Sequence, residues 1–424
     1  MRIVHLSTSD TAGGASRAAY RVHTGLKGLG HDSRMFVQKK WSVDPTVTGF
    51  TPSGGLVDRL RVRVRQRRIT ADFAPYPGKR PPGAEPFADD RTPYGDQPLR
   101  GLPECDIINL HWVAGFVDHL PFFETFKRRF PKVPLVWRLA DMAPATGGCH
   151  YDRGCGRFKA QCGACPELGS NIDADLSRQI WQRKHDALAN VGDAGMHIVA
   201  TSRWVAEVAS QSSLLGRFKR TIIPNALDTS VYQPRDKGFS RDLLGIPRNA
   251  KVVLFAADSS KHPRKGFAQL TEALEGIRGV DNLTLASVGG GKPAIGGNIP
   301  LINVGKVDDD RVLSMAYSAA DVYVIPSLQE AFGQTVIESM ACGTPIVGFA
   351  SGGITDTVRP GQTGLLAPTG DVGALRQAIV DLLQDDAARH RLAETCRATA
   401  LAEYALPVQA RQYEALYRSL LGNS

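Results

Sequence analysis

The chain has 424 residues, of which 42% are hydrophobic and 22% charged, and its formal net charge is +9. This composition is that of an ordinary globular protein and excludes a disordered chain. The length exceeds what one hydrophobic core usually fills, so two domains are expected. No apolar run approaches the ~18 residues that predict a membrane-spanning helix. The apolar start, residues 1–6, meets polar residues at Ser7, which is unlike a secretory signal, so we expect a cytoplasmic protein.

Short β-rich runs alternate with helical patterns along the chain, which predicts parallel βαβ units. The first strand is predicted at residues 2–7, and a glycine-containing loop follows at residues 11–14. A helix over residues 16–29 then ends at Gly30, a residue type that commonly terminates helices. A long loop rich in proline, aspartate and glycine is expected over residues 73–100. Further strands are predicted at residues 107–110, 135–139, 198–200, 221–223, 252–256, 283–288, 322–325 and 345–349.

A strongly basic arm precedes the long loop, with six arginines within residues 59–68. Apolar residues recur there at helical spacing, so a helix would carry an apolar stripe on a basic body. Such a helix suits the headgroup layer of an anionic membrane, and a solvated surface helix is the alternative. Nucleic-acid binding is not expected, because no aromatic platform or known module accompanies the charge.

Four of the seven cysteines, Cys149, Cys155, Cys162 and Cys165, lie close together in a glycine-rich segment. An odd total in a chain without a secretory signal argues against a disulfide framework. Cys162 and Cys165 have the spacing of a metal knuckle, and four thiolates suit a closed, tetrahedral structural zinc site. The first pair is spaced more widely than usual. His150 is an alternative ligand, and reduced thiols or local disulfides are the alternative states of the cluster.

Two glutamates bracket a predicted helix start in the C-terminal half. A buried strand ends at Pro326, a loop holds Glu330 and Gly333, and a helix follows over residues 334–342. Ligands of open parallel sheets bind beyond the carboxyl ends of the strands, and a helix start favours anions. Glu330 can accept hydrogen bonds from sugar hydroxyls, and Glu338 from a ribose diol. Taken alone this pattern is weak, because such glutamates are common and usually solvated.

In its full context, the stretch from residue 321 to 347 resembles the donor-site signature of the family-4 retaining glycosyltransferases, which have the GT-B fold. Segments 223–232, 263–267, 304–307, 351–353 and 361–366 resemble further motifs of that family, in the expected order. The cysteine-bearing insertion is similar to that of a subgroup resembling colanic-acid and other exopolysaccharide glycosyltransferases. The resemblance implies an α/β fold with two Rossmann-like domains facing across a cleft.

This resemblance also implies domain boundaries. We expect an N-terminal acceptor domain over residues 1–223, with the cysteine-rich insertion near residues 147–167. A nucleotide-sugar donor domain would cover residues 224–404, and residues 405–424 would form a helix that returns to the first domain.

The family motifs assign roles to individual residues. Lys265 would meet the donor diphosphate and Glu330 would orient the sugar, which makes them the expected catalytic residues. In the N-terminal half, residues 11–17 resemble the glycine loop that faces the donor, where a side chain would hold the backbone away from phosphate. The expected donor-binding residues are Gly13, Gly14, Arg264, Gly305, Val307, Ala331, Phe332, Gly333, Gln334 and Glu338.

On the acceptor side we expect Arg17, His111 and Asp141, although a lone histidine such as His111 is more often structural. The sequence departs from the family pattern at two positions. One lies beside Asp141 and the other lies near the lysine that would meet the donor diphosphate. Ala140 stands where many relatives have a histidine that touches the donor sugar. Ser259 stands where relatives often have an arginine, with Lys261 and Arg264 as substitutes.

The predicted function is that of a hexosyl-type glycosyltransferase. It would move a sugar from a nucleotide-diphosphate donor to a glycan or lipid-linked acceptor in bacterial surface or exopolysaccharide synthesis. The resemblance implies retention of anomeric configuration by front-face attack, with no cofactor or metal ion for catalysis. The alternatives are a catalytically silent sugar-nucleotide-binding subunit, which the two departures would explain, and a nucleotide-sugar epimerase of the same fold.

Overall fold

The structure, a computed structural model, describes residues 1–189, 191–193, 195–291, 294–296 and 299–422. The chain forms two compact units, one of residues 1–223 with 410–424 and the other of residues 224–409. Each unit is an α/β domain built on a parallel sheet, as the alternation of strand and helix patterns predicts. Among the described residues, no helix is both long and apolar enough to cross a membrane.

The first unit contains a seven-stranded parallel sheet of order β3-β2-β1-β4-β5-β6-β7. Its strands are β1 (Arg2–Ser9), β2 (Asp32–Lys39), β3 (Val47–Gly49), β4 (Ile107–Leu110), β5 (Leu135–Leu139), β6 (Met196–Ala200) and β7 (Lys219–Ile222). Every residue of β4 and β5 is buried, as expected for central parallel strands covered on both faces.

The helices of the first unit connect these strands. They are α1 (Gly14–Gly28), α2 (Leu56–Phe73), α3 (Gln97–Arg100), α4 (His119–Arg129), α5 (Leu176–Ala189) and α6 (Arg203–Gln211). Val22 and Leu26 of α1 pack with Ile3 and Val136 of the sheet. Tyr413, in the C-terminal segment of the chain, belongs to the same buried cluster, so that segment completes the core of the first unit.

Helix α2 contains the basic arm of residues 59–68, and none of its residues is buried. The apolar residues Leu56, Val57 and Leu60 are 84%, 63% and 62% exposed. Arg65 pairs with Asp118. The arm is therefore an exposed helix with both apolar and basic side chains open to solvent.

The second unit contains a six-stranded parallel sheet of order β10-β9-β8-β11-β12-β13. Its strands are β8 (Lys251–Ser259), β9 (Leu283–Gly290), β10 (Leu301–Gly305), β11 (Val322–Ile325), β12 (Ile346–Phe349) and β13 (Gly364–Ala367). Its helices are α7 (Lys237–Leu244), α8 (Phe267–Glu275), α9 (Asp310–Ala319), α10 (Gln334–Ala341), α11 (Ile354–Thr357), α12 (Val372–Gln384) and α13 (Asp386–Glu403). The last helix, α14 (Leu406–Leu420), begins in this unit, and the boundary at residue 410 falls within it.

Two buried clusters lie in the second unit, each combining sheet residues with helices. One contains Val336 of α10 and Cys396 of α13, and the other contains Leu270 of α8 and Leu375 of α12. This arrangement leaves the carboxyl ends of the strands as the place where loops gather.

Four observed strands, β2, β3, β10 and β13, are absent from the sequence-based prediction. β2 mixes charged, polar and apolar residues (burial is confined to Ser33 and to residues 35–37), and β3 has only three residues. β13 overlaps segment 361–366, which the sequence analysis assigns to a family motif and not to a strand. Short or half-exposed strands of this kind carry too little apolar periodicity to be recognised without their neighbours.

Candidate functional site

The candidate site of the second unit begins with the turn after β8. Residues Pro263–Lys265 form one turn of 3₁₀ helix, and Gly266 follows with φ +72°. A Cβ on Gly266 would lie 1.8 Å from the carbonyl oxygen of Pro326, so only glycine permits this approach. The N–H of Leu328 donates to the carbonyl of Arg264 at 2.8 Å. The turn after β8 is therefore locked against the loop after β11.

This packing brings together Lys265 and Glu330, which are far apart in sequence. Lys265 Nζ lies 2.7 Å from Glu330 Oε2, and Arg264 Nη1 lies 3.5 Å from the same oxygen. Arg264 Nη1 also donates to the carbonyl of Gln329 at 2.8 Å. Burial alone would raise the pKa of Glu330, but Lys265, Arg264 and the N–H of Ala331 lower it to about 2. The carboxyl is therefore ionised at neutral pH and held by two cations.

A third loop, after β12, supports the backbone of Glu330. The N–H of Gly353 donates to the carbonyl of Glu330 at 2.8 Å. A Cβ on Gly352 would lie 2.1 Å from that carbonyl oxygen, and one on Gly353 would lie 2.2 Å from the carbonyl of Ala331. Since β8, β11 and β12 are neighbours, their three loops meet at the carboxyl edge of the sheet.

Helix α10 starts in this loop cluster. Gly333 precedes it with φ +84°, and Gln334 Nε2 lies 3.4 Å from the carbonyl of Ala226. Ala331 and Phe332 are each 3% exposed, so their side chains belong to the core and only their backbone is available to a ligand. The first N–H groups of α10 directly follow the loop that carries Glu330.

Three further expected donor residues lie within helix α10 or at the end of β10 and just after it. Glu338, in α10, is 5% exposed and its Oε2 accepts a hydrogen bond from Tyr317 at 3.2 Å. Gly305 ends β10 with φ +77°. Val307 is half-buried and packs against the core cluster that includes Phe332. The structure thus places all the expected donor residues of the C-terminal half in one unit.

In the first unit, the glycine loop follows β1. Gly13 caps α1 with φ +83° and Gly14 is the first helical residue. A Cβ at either position would meet no atom within 4 Å, so Gly13 is required by its backbone angle and the space beside the loop is open. Arg17 lies one turn into the helix, where its N–H donates to the carbonyl of Gly13 at 3.0 Å.

Asp10 organises the same loop and is absent from the residues expected from sequence. Its carboxylate accepts hydrogen bonds from the N–H groups of Thr11, Trp41 and Ser42, at distances between 2.8 and 3.2 Å. The residue has no exposed surface. An aspartate directly after a buried strand and before a glycine loop is the sequence signal that could have identified it.

His111 and Asp141, both expected on the acceptor side, line one pocket of the first unit together with Trp112, Trp137 and other residues. Arg17 does not line this pocket. Asp141 accepts hydrogen bonds from Trp112 Nε1 at 3.1 Å and from the N–H of Ala143 at 2.9 Å. Ala140, the residue that replaces the family histidine, contributes to the same wall.

The ring of His111 also belongs to a buried histidine network. His111 Nε2 lies 2.9 Å from His5 Nδ1, and Ser33 Oγ bridges His5 to His23 at 3.1 and 2.8 Å. Burial lowers the pKa of both His5 and His111 well below the ordinary value. These rings are therefore neutral, and His111 takes part in this network as well as lining the pocket.

The four clustered cysteines are free thiols, and all four line one cavity of the first unit. His150 does not line that cavity, because its Nδ1 bonds to Asp141 Oδ2 at 2.8 Å. Within the described ranges, no three His, Cys, Asp or Glu side chains are already arranged around a point that could hold a metal ion.

Comparison with known proteins adds the following. Residues 250–385 match the family model "Glycosyl transferases group 1". A phosphatidyl-myo-inositol mannosyltransferase of Mycobacterium leprae is 36% identical over 186 residues, which are 42% of this chain and 49% of that protein. A putative colanic acid biosynthesis glycosyl transferase, WcaC of Escherichia coli, is 26% identical over 70% of this chain and 69% of its own. The chain thus spans about half the length of the mannosyltransferase.

Solved structures show the same fold. A sucrose-phosphate synthase from Thermosynechococcus elongatus superposes with a TM-score of 0.67 at 21% identity, covering all of both chains. HepE of Anabaena, in complex with UDP and glucose, superposes with a TM-score of 0.65 at 18% identity over 99% of this chain and all of its own. The predicted GT-B class, two parallel-sheet α/β domains, is confirmed. Residues 250–385, which contain Lys265, Glu330 and Glu338, are a glycosyl transferases group 1 domain.

Proposed function

We propose that the chain is a retaining glycosyltransferase that moves a hexosyl group from a nucleotide-diphosphate sugar to a glycan or lipid-linked acceptor. The observation that carries this proposal is the pairing of Lys265 with the buried Glu330, 2.7 Å apart, with Arg264 beside them. This group lies at the carboxyl edge of the sheet, inside the region that matches the glycosyl transferases group 1 family, where open parallel sheets bind ligands.

In the proposed reaction the nucleoside diphosphate leaves the anomeric carbon with the bonding electron pair. Negative charge develops on the departing phosphate oxygen, and a preorganised cation there stabilises the transition state. Lys265 and Arg264 supply that positive charge, and the start of α10 adds its N–H groups. These groups perform the electrostatic task without a metal ion.

Retention follows if the acceptor hydroxyl attacks from the face that the diphosphate leaves. The departing phosphate then accepts the hydroxyl proton, so no pair of carboxylates acts as it does in a retaining glycosidase. Glu330, ionised and fixed by two cations, would accept hydrogen bonds from the sugar hydroxyls. Glu338 would accept those of the ribose.

The first donor to test is a uridine diphosphate sugar, because HepE structures of the same fold contain UDP or UDP-glucose. The similarity to the mycobacterial mannosyltransferase makes a nucleotide-diphosphate mannose the second. Similarity to the colanic acid transferase over 70% of the chain supports an acceptor of bacterial surface or exopolysaccharide synthesis.

A lipid-linked acceptor would be met at the cytoplasmic face of the membrane. The exposed helix α2 supports this placement, because its arginines and its exposed Leu56, Val57 and Leu60 fit an anionic headgroup layer. The domain itself would remain in the cytoplasm, where nucleotide sugars are the donors.

One alternative has an observation of its own. Ala140 lines the pocket that holds Asp141 and His111, at the position of the family histidine that touches the donor sugar. A silent subunit would bind a sugar nucleotide at the donor site of the second unit without turning it over.

The test combines binding and turnover. Melting temperature is recorded with UDP, GDP, ADP and TDP, for which a ligand at about 100 times its Kd adds about 2.7 kcal/mol. Release of nucleoside diphosphate from the matching sugar donor is then measured with a glycan acceptor. We expect one nucleotide to stabilise the chain and its donor to be consumed, with both effects lost in Lys265→Ala.

Lys251→Ala is the matched control, since Lys251 forms an exposed ion pair with Asp386 at 3.1 Å in the same unit. Stabilisation by a nucleotide without turnover of its donor would favour the silent subunit. No stabilisation by any nucleotide, or equal behaviour of Lys265→Ala and Lys251→Ala, would refute the proposed donor site.

A further inference from the structure

The cysteine cluster of the first unit is a feature that the proposed reaction does not use. Cys149, Cys162 and Cys165 are 6–7% exposed and Cys155 is half-buried. All four line one cavity of about 10 Å³, which is close to the smallest space that holds a single water molecule. Asp152, Arg157 and Ser177 also line this cavity. The four sulfurs therefore share one space that is large enough for a single bound atom.

Backbone N–H groups point at three of the four sulfurs. The N–H of Gly147 donates to Cys162 Sγ at 3.1 Å. The N–H of Arg157 donates to Cys155, and the turn after Cys165 directs two further N–H groups at that sulfur. A neutral thiol is a poor acceptor, while hydrogen bonds to an ionised acceptor are roughly twice as strong. These N–H groups are in place to donate to the sulfurs when a bound cation makes them thiolates.

Two cations lie beside the cluster. Lys184 is 2% exposed, and its ammonium donates to the carbonyls of Ala143 and Thr146 at 2.7 and 3.0 Å. Its charge also interacts with Cys162 and Cys149. Arg157 lines the cavity and donates to the carbonyl of Gly163 at 2.5 Å. Four thiolates around one Zn²⁺ leave two negative charges, which these two cations can balance.

We propose that Cys149, Cys155, Cys162 and Cys165 bind one zinc ion in a closed, tetrahedral structural site. In the described part of the chain the four sulfurs do not surround a common point, so binding brings them together as four thiol protons leave to solvent. The proposal is independent of the proposed function.

The site would stabilise the wall that holds Asp141. Thr146 Oγ1 donates to the carbonyl of Cys149 at 2.7 Å, and the N–H of Met142 donates to the carbonyl of His150 at 3.1 Å. The segment between Asp141 and the first cysteine is thus tied to the cluster at both ends. Zinc would hold this segment by closing the loop of residues 149–165.

The experiment uses the full-length chain, free of any histidine tag and purified without chelator from zinc-supplemented medium. Metal is quantified by inductively coupled plasma mass spectrometry, and we expect one zinc per chain. The double variant Cys162→Ser/Cys165→Ser should lose the metal. Cys105→Ser should keep it, because Cys105 is an equally buried free thiol of the same unit outside the cluster.

A second measurement needs no variant and so does not depend on how the variants fold. A mercurial thiol reagent is titrated into the wild-type chain while released zinc is followed with a chromogenic chelator. Release in step with modification of four thiols, and intense tetrahedral-thiolate bands in a cobalt-loaded sample, are expected. Absence of zinc and cobalt binding, disulfides within the cluster by intact-mass analysis, or full zinc content in the double variant would overturn the proposal.

Discussion

Replacing Glu330 with glutamine tests whether the charged cluster at the candidate site is what the structure shows. The carboxylate is 8% exposed and is held by Lys265 at 2.7 Å and Arg264 at 3.5 Å. Glutamine keeps the shape but removes the charge, leaving both cations without their counter-charge. Breaking a buried ion pair in this way costs about 3–5 kcal/mol. For a unit of this size each kcal/mol lowers the melting temperature by about 2–4 °C, so the expected fall is roughly 6–20 °C.

The effect has a defined pH dependence. The pKa of Glu330 is about 2 in the folded chain and 4.5 ordinarily; burial would raise it, but Lys265 and Arg264 lower it. A depressed folded pKa adds stability that is fully present above the ordinary pKa and is lost as pH falls toward the folded pKa. The stability gap between wild type and Glu330→Gln should therefore be constant from pH 7 to about 5 and shrink steadily from there toward pH 3.

Urea unfolding at pH 7, 5, 4 and 3 measures this gap, with Asp386→Asn as the control. Asp386 pairs with Lys251 at 3.1 Å, but its side chain is 69% exposed, so its loss should change stability far less than the loss of the Glu330 charge. If Glu330→Gln is as stable as Asp386→Asn at pH 7, or if its gap from wild type does not change below pH 5, the buried ionised pair does not exist and the reasoning fails.

Two further predictions concern the loops around the sites. Gly352→Ala places a Cβ 2.1 Å from the carbonyl of Glu330, at a φ of +53°, and should cost about 1–3 kcal/mol, measurable as a lower urea midpoint. Gly370→Ala, at a φ of +85° with no atom within 4 Å, separates the backbone cost from the clash, and equal losses in the two variants would contradict the packing argument. Asp10→Ala removes the acceptor of three backbone N–H groups. It should cost about 2 kcal/mol and speed amide exchange at residues 41 and 42, whereas unchanged exchange there would show that the carboxylate does not hold the loop.

Much of the fold could be predicted because the central strands are recognisable from their sequence. The strands Ile107–Leu110, Leu135–Leu139 and Val322–Ile325 occur where continuous apolar runs predict them. A strand buried on both faces needs no partner to be recognised. The missed strand Asp32–Lys39 mixes charged and apolar residues and is identified only by its pairing with the first strand.

The candidate site, like the fold, could be predicted only in part from the sequence. Sequence alone predicted which residues of the C-terminal half belong to the donor motifs, because the residues of a strand, its loop and the following helix are close together in the chain. It could not determine that Lys265 neutralises Glu330, since that contact depends on two loops meeting through Gly266 and Pro326.

The histidines show the same limit in the first unit. Sequence placed His111 beside the acceptor and left His150 open as a metal ligand. Only the tertiary structure decided that His111 bonds to His5 and His150 to Asp141. The physical reason is that a local sequence pattern determines only the position of a residue on its strand, helix or loop. Its partner, and hence its charge and its role, is set by packing between segments that are distant in the chain.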